Sequence, residues 1–277
     1  MQKLIIILVL FFLNCDSPQS KAEHWNHQLL CYSLGSCNDE RGTRFGIIGD
    51  SWTDLIAGQP LIRTLRVQME EDYGYRFTGA TMGGQRLQNV KNEGIHFQVI
   101  ENGGPDLKYM IISLGGNDVM NNFSEFIPDI NGELGSRLYN LENGIIDLVN
   151  SGNSYKKNRW GGEDLVWFFH GYDYLNPDIP TLPNTFMCRL NLNLAGFTDA
   201  EVDSFHPVFI DRYNEMLHHA AALHHSIRII DLRGTIGGPP FSSENLMFDC
   251  LHPDTTGFTP LTAAFVAKMQ FWTGDEK

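Results

Sequence analysis

Three kinds of group in this 277-residue chain could together break an acyl bond: a serine, an acid–histidine pair, and neutral hydrogen-bond donors. The serine is Ser51, in Arg44-Phe45-Gly46-Ile47-Ile48-Gly49-Asp50-Ser51-Trp52-Thr53-Asp54. A short apolar run ends there in Gly-Asp-Ser, and a helical pattern follows. Open α/β sheets carry their sites at the carboxyl ends of their strands, and a following helix offers unpaired N–H groups to an anion. Asp249 and His252 stand three apart in Phe248-Asp249-Cys250-Leu251-His252-Pro253-Asp254, so one turn of chain can bring both side chains together. Asp249 would accept from His252 Nδ1–H, leaving Nε2 to take a proton from Ser51. That is the logic of a serine nucleophile, whatever the order of the residues. Asn117, in Leu114-Gly115-Gly116-Asn117-Asp118, is a neutral donor of the kind an oxyanion needs. The paired glycines of Ala80-Thr81-Met82-Gly83-Gly84-Gln85-Arg86 let backbone N–H groups face a ligand without side-chain obstruction. Singly, such patterns are common in turns and helix caps.

These groups need a scaffold, and the chain reads as one. Five apolar runs are expected as strands: Arg44–Gly49, Tyr75–Met82, Lys108–Leu114, Asp164–His170 and Ile227–Leu232. They are apolar throughout rather than alternating, as in strands buried on both faces. Helical patterns lie at Leu55–Glu71, Leu134–Asn150, Asp199–His224 and Phe258–Trp272. Strand and helix in alternation predict a parallel sheet with helices on both faces. The stretch Asp173–Thr198, rich in Pro and Asn, does not fit. It is read either as a lid over the site or as a surface excursion.

At 42% hydrophobic and 19% charged, the chain has the composition of a globular protein. A net charge of −13 argues against a nucleic-acid partner and against adsorption to anionic lipid through a basic face. Residues 1–14 read as a signal segment. Lys3 supplies positive charge, and the apolar run Leu4–Leu13 is too short to span a bilayer. With Cys15 close behind, the segment resembles a bacterial lipoprotein signal, which would make Cys15 a lipid anchor. Asn14 departs from the small residues usual there. The competing reading is a secretory signal cut after Ser20-Lys21-Ala22. Either way the mature protein is expected outside the cytoplasm. Residues 15–42 read as a tether and a stapled loop, and 43–277 as the functional domain. The remaining cysteines form an even set, which suits disulfides in an exported protein. We expect Cys31 to pair with Cys37, and Cys188 with Cys250. The second bridge would fix a loop whose catalytic groups must hold their geometry.

Taken together and in this order, Gly-Asp-Ser, the glycine pair, Gly-x-Asn-Asp and Asp-x-x-His resemble the SGNH (GDSL-type) esterase and acylhydrolase superfamily, over about Thr43 to Trp272. The resemblance implies a three-layer α/β/α, flavodoxin-like domain with a five-stranded parallel sheet, and no metal or organic cofactor. It implies hydrolysis of an ester or thioester, of a lipid acyl chain or of an acetylated carbohydrate. Ser51 would be the nucleophile, His252 the general base and Asp249 its orienting acid. The Ser51 N–H, the Gly84 N–H and the Asn117 amide would form the oxyanion hole. Gly83 competes with Gly84, and the apolar place of Met82 selects Gly84. Trp52 stands where many members carry leucine, which bears on substrate size. The alternative is a catalytically silent, surface-anchored binding lipoprotein on the same fold.

Other residues invite a role. His218, His219, His224 and His225 suggest a metal site. On a helix, however, His218 and His225 lie about 10 Å apart along the axis, and no pair falls at three or four residues, so a half-solvated face is expected. His170, at the site edge, is read as structural with substrate contact as the alternative, Asp118 as a brace for its loop, and Asp50 as a cap for the following helix. Trp52 and Trp160 are candidate rings for stacking on a sugar.

Overall fold

The computed structural model of the protein describes residues 42–53, 62–179 and 188–277. The signal segment, Cys15, the Cys31–Cys37 pair and the start of the helix read over 55–71 lie outside the described residues. All five expected strands form, slightly trimmed at their ends: β1 Phe45–Gly49, β2 Phe77–Thr81, β3 Tyr109–Ser113, β4 Val166–His170 and β5 Ile227–Ile230. They pair in parallel in the order β2-β1-β3-β4-β5, the flavodoxin-like order. β1 and β3 are buried along their whole length, which is why their sequences do not alternate. This order reverses the direction of winding at β1 and β3, so a crevice opens beyond their carboxyl ends.

Helices cover both faces, giving the three-layer α/β/α architecture. They are α1 Leu65–Tyr73, α2 Leu87–Glu93, α3 Ile95–Gly103, α4 Gly116–Val119, α5 Ile130–Trp160, α6 Cys188–Ala195, α7 Asp199–Leu223 and α8 Thr255–Thr273. β4 shows the two faces most plainly. Trp167 lies against Gly152 of α5, whereas His170, of opposite parity along the strand, packs on Phe265 of α8 at 5.7 Å between ring centroids.

Several helices depart from expectation, each for a physical reason. Of the helix read over Leu55–Glu71, the described residues hold the part from Leu65 onward, as α1. Thr64 is extended, and the chain before it is tied elsewhere: the Arg63 N–H donates to Thr255 Oγ1 at 3.0 Å. α5 runs well past Asn150, because its inward stripe continues through Gly152, Asn153 and Lys156 rather than through apolar residues. Gly152 makes room for the Trp167 ring. Asn153 Oδ1 accepts from the Trp167 indole N–H at 2.9 Å and from the Leu165 N–H at 3.1 Å. α2 and α3 were not expected. Gly94, left-handed between them, breaks the apolar period. α6 lies within the Pro- and Asn-rich stretch. Among the described residues, no helix is long and apolar enough to cross a membrane.

Candidate active site

Ser51 sits at the turn leaving β1. Gly49 permits that turn, since a Cβ there would run into the Thr53 side chain. The Asp50 N–H donates to Ser113 O at 2.9 Å, and the Met82 N–H to Gly49 O at 2.9 Å. The loops after β1, β2 and β3 are thereby bound to one another at the sheet edge.

The second half of the site is a closed loop entering α8. Met247 and Pro253 form an antiparallel bridge, and the Phe248 N–H donates to His252 O at 2.8 Å. Asp254 then caps α8, accepting from the Gly257 N–H at 2.8 Å. Within this frame Asp249 Oδ1 accepts from the N–H groups of Leu251 (2.8 Å) and His252 (2.7 Å). Both Asp249 oxygens lie 2.9 Å from His252 Nδ1, and His252 Nε2 lies 2.7 Å from Ser51 Oγ. A proton on Nδ1, donated to Asp249, leaves Nε2 as the acceptor for the serine hydroxyl. Burial pushes the Asp249 carboxyl up, but the His252 hydrogen bond and charge and the two backbone N–H groups outweigh it, so it lies below its ordinary value.

Cys188, the first residue of α6, is joined to Cys250 by a disulfide, as expected. The Asn176 N–H donates to Cys250 O at 3.2 Å. The loop that carries Asp249 and His252 is thus held from two sides by the stretch that follows β4. Much of that stretch is core: Tyr172, Tyr174, Leu175 and Ile179 are buried. Asp173 accepts from the N–H groups of Tyr174, Gly234 and Ile236 at 2.7–2.8 Å. Residues 173–179 are therefore a packed wall rather than a lid. Residues 180–187 lie outside the described residues.

Asn117 Nδ2 donates to Gln85 O at 3.2 Å, and Asn117 shares a pocket with Ser51 and His252. Asp118 accepts from the Leu87 N–H at 2.9 Å, capping α2 from a distance and bracing the two loops together. Gly84 lies in the turn just before Gln85, with left-handed φ of 76° and open space around it. It stands outside the residues that line the pocket.

Asp50 does not serve simply as a helix cap. It closes a local turn, with Oδ1 accepting from the Trp52 N–H at 3.0 Å, and it also accepts from Ser113 Oγ at 3.0 Å and from the Tyr172 hydroxyl at 2.5 Å. The Tyr172 oxygen in turn accepts from the Gly116 N–H at 3.2 Å. Tyr172 therefore links the serine turn to the Asn117 loop, a role the sequence did not single out. Burial pushes Asp50 up to about 6, against the hydrogen bonds from Tyr172, Trp52 and Ser113. The folded protein holds this proton more tightly than the unfolded chain does. Its contribution to stability is full below about pH 4 and is lost as pH rises through the folded value. Relative to Asp50→Asn, the wild type should lose stability between pH 4 and 7 in urea titrations. A difference that does not change with pH would contradict the assignment.

The remaining candidates resolve differently. His170 is buried, packed on Trp52, Tyr172 and Phe265, and burial pushes it down to about 4. It is a neutral structural ring. Trp52 is 4% exposed, edge-on to Tyr172 and Phe258, and its indole N–H donates to Leu251 O at 3.3 Å. It is wedged under the catalytic loop and also lines the pocket that holds Ser51 and His252. Trp160 ends α5 before β4 begins, so it lies at the opposite edge of the sheet. His218, His219, His224 and His225 face Asp231, Glu142, Asn150 and Asp164 respectively, four separate partners.

No family model matches the chain, and no curated protein matches it in sequence. Solved structures do share its fold. A lipase from a goat rumen metagenome is 17% identical, with a TM-score of 0.52 over 82% of this chain and 97% of that one. An extracellular lipase from Streptomyces rimosus is 13% identical, with a TM-score of 0.52 over 82% and 99%. An acetylxylan esterase from Geobacillus stearothermophilus is 16% identical, with a TM-score of 0.51 over 84% and 96%. At these identities the likeness is one of fold.

Proposed function

We propose that the protein is a serine ester hydrolase of the SGNH (GDSL) type. The observation that carries this reading is the continuous hydrogen-bonded chain Ser51–His252–Asp249 beyond the carboxyl ends of the strands. The esterases and lipases that share the fold support it at the level of architecture. Ser51 Oγ attacks the ester carbonyl carbon as its proton passes to His252 Nε2. Asp249 holds the ring and stabilises its charged form. The oxyanion is taken by the Ser51 N–H, the Gly84 N–H and the second amide hydrogen of Asn117. Collapse breaks the bond to the alcohol oxygen, which receives the proton from His252. Water then attacks the acyl-enzyme by the same route, releasing the acid and restoring Ser51. A disulfide between Cys188 and Cys250 suits an oxidising compartment, in keeping with export through residues 1–14.

Release of p-nitrophenol from a p-nitrophenyl ester by the purified protein tests the reading. Absence of turnover by folded protein would favour the silent binding lipoprotein instead. Asn117→Ala should lower kcat by about 10²–10³, and an unchanged kcat would mean that Asn117 does not meet the oxyanion. The disulfide should matter to turnover as well as to stability. Cys188→Ser releases the Asp249–His252 loop, and a displacement of about 1 Å can cost 10² in rate. We expect kcat to fall while the circular dichroism spectrum is kept. Undiminished kcat would show that the loop needs no tether.

A further inference from the structure

Beside Ser51, His252 and Asn117 lies a pocket whose wall includes Asp50, Trp52, Met120, Tyr172, Leu175, Phe209 and Leu251. Its inner residues, Asp50, Trp52, Tyr172, Leu175 and Phe209, are buried, whereas Ser51, Asn117, Met120, Leu251 and His252 at its rim are half-buried. We propose that this pocket takes the acyl group of the substrate and restricts it to a short one, acetyl to butyryl; the inference rests on the ester-hydrolase reading above.

Size is the first argument. The cavity is about 60 Å³, and a water-sized group needs roughly 10–15 Å³ by the same measure. A few heavy atoms fit, and a fatty acyl chain does not. Rigidity is the second. The Tyr172 hydroxyl is bound at both Asp50 and the Gly116 N–H. The Phe209 ring is held between Phe205 and Tyr213, at centroid distances of 6.3 and 5.9 Å. Leu175 is followed by Asn176, whose side chain donates to Ser242 O at 2.8 Å and whose N–H is bound to Cys250 O. The inner wall is therefore held in place at Tyr172, at Phe209 and at the backbone beside Leu175, and cannot swing aside there for a longer substrate. Polarity is the third. The inner wall is apolar apart from the Tyr172 hydroxyl and the Asp50 carboxyl, which are bonded to each other, so it suits hydrocarbon. An alcohol carrying further hydroxyls would lose its hydrogen bonds there. The leaving oxygen must also reach His252 at the half-buried rim. The acyl group therefore points inward and the alcohol outward.

A series of p-nitrophenyl esters from acetate to octanoate, kept below aggregation, tests this. In an open groove each buried methylene would raise kcat/KM about four-fold. A pocket of this size predicts a fall of about tenfold or more between butyrate and octanoate. Acetates of butanol and octanol, which differ only in the alcohol, should be cleaved at comparable rates. Phe209→Ala should raise the octanoate-to-acetate ratio by about tenfold. If that variant does not fold, Phe209→Leu makes a smaller opening in the same wall and should shift the ratio in the same direction. A wild-type rate that climbs steadily to octanoate, or a ratio unmoved in a folded variant, overturns the inference. Failure to cleave any ester in the series overturns the ester-hydrolase reading itself.

Discussion

Ser51→Ala should abolish ester hydrolysis, with a loss in kcat on the order of 10⁶, while the protein stays folded. The change removes one oxygen at a turn. That oxygen's hydrogen-bond partner is His252 Nε2, which can turn to water at the half-buried rim. The Asp50 network and the Gly49 turn do not involve the hydroxyl, so the backbone has no reason to move. A residual rate over water is expected, because oxyanion donors and binding contacts survive loss of the nucleophile. The comparison is single-turnover release of p-nitrophenol by wild type and variant, with urea midpoints as the control for folding. A variant that turns over near the wild-type rate would remove Ser51 from the mechanism.

Asp249→Asn should cost about 10⁴ in kcat through the tautomer of His252 rather than through the fold. In the wild type Asp249 Oδ1 accepts from the N–H groups of both Leu251 and His252. An asparagine oxygen in that place can accept from the same two donors, so the loop shape is kept. The asparagine amide nitrogen then faces His252 Nδ1 where a carboxylate oxygen stood. It donates, so Nδ1 must accept and the ring proton moves to Nε2. A ring protonated at Nε2 cannot take the proton of Ser51. The measurement is kcat for the variant beside its thermal unfolding. A loss below tenfold would mean that Asp249 does not fix the tautomer, and a large loss accompanied by unfolding would mean that its role is structural.

The parts of this molecule that were legible in its sequence share one property: their pattern is local. Phe45–Gly49 and Tyr109–Ser113 are continuous apolar runs, because strands buried on both faces need apolar residues at every position. Asp249 and His252 are three apart, and a turn suffices to join them. The Cys188–Cys250 pairing was legible because a catalytic loop needs fixing and Cys250 lies within it. What was missed depends on partners distant in the chain. Tyr172 reaches Asp50 across 122 residues, and nothing in Gly171-Tyr172-Asp173 announces it. His170, its more conspicuous neighbour, is only packing. The inward face of α5 near Gly152 and Asn153 was also illegible, since glycine and asparagine there answer to the Trp167 ring and indole N–H and not to a helical period. Trp52, the aromatic residue beside the nucleophile, does line the pocket, but most of its surface is spent on the core against Tyr172 and Phe258.

The central claim is that Ser51 is made nucleophilic by His252 and Asp249. It is tested most directly by incubating the folded protein with a fluorophosphonate and locating the adduct by peptide mass spectrometry. Displacement of fluoride by an activated serine leaves one phosphonyl group on Oγ. The predicted result is a single adduct on the peptide containing Ser51, absent in Ser51→Ala and strongly slowed in Asp249→Asn. No adduct on folded wild-type protein, or labelling that persists in Ser51→Ala, would contradict it.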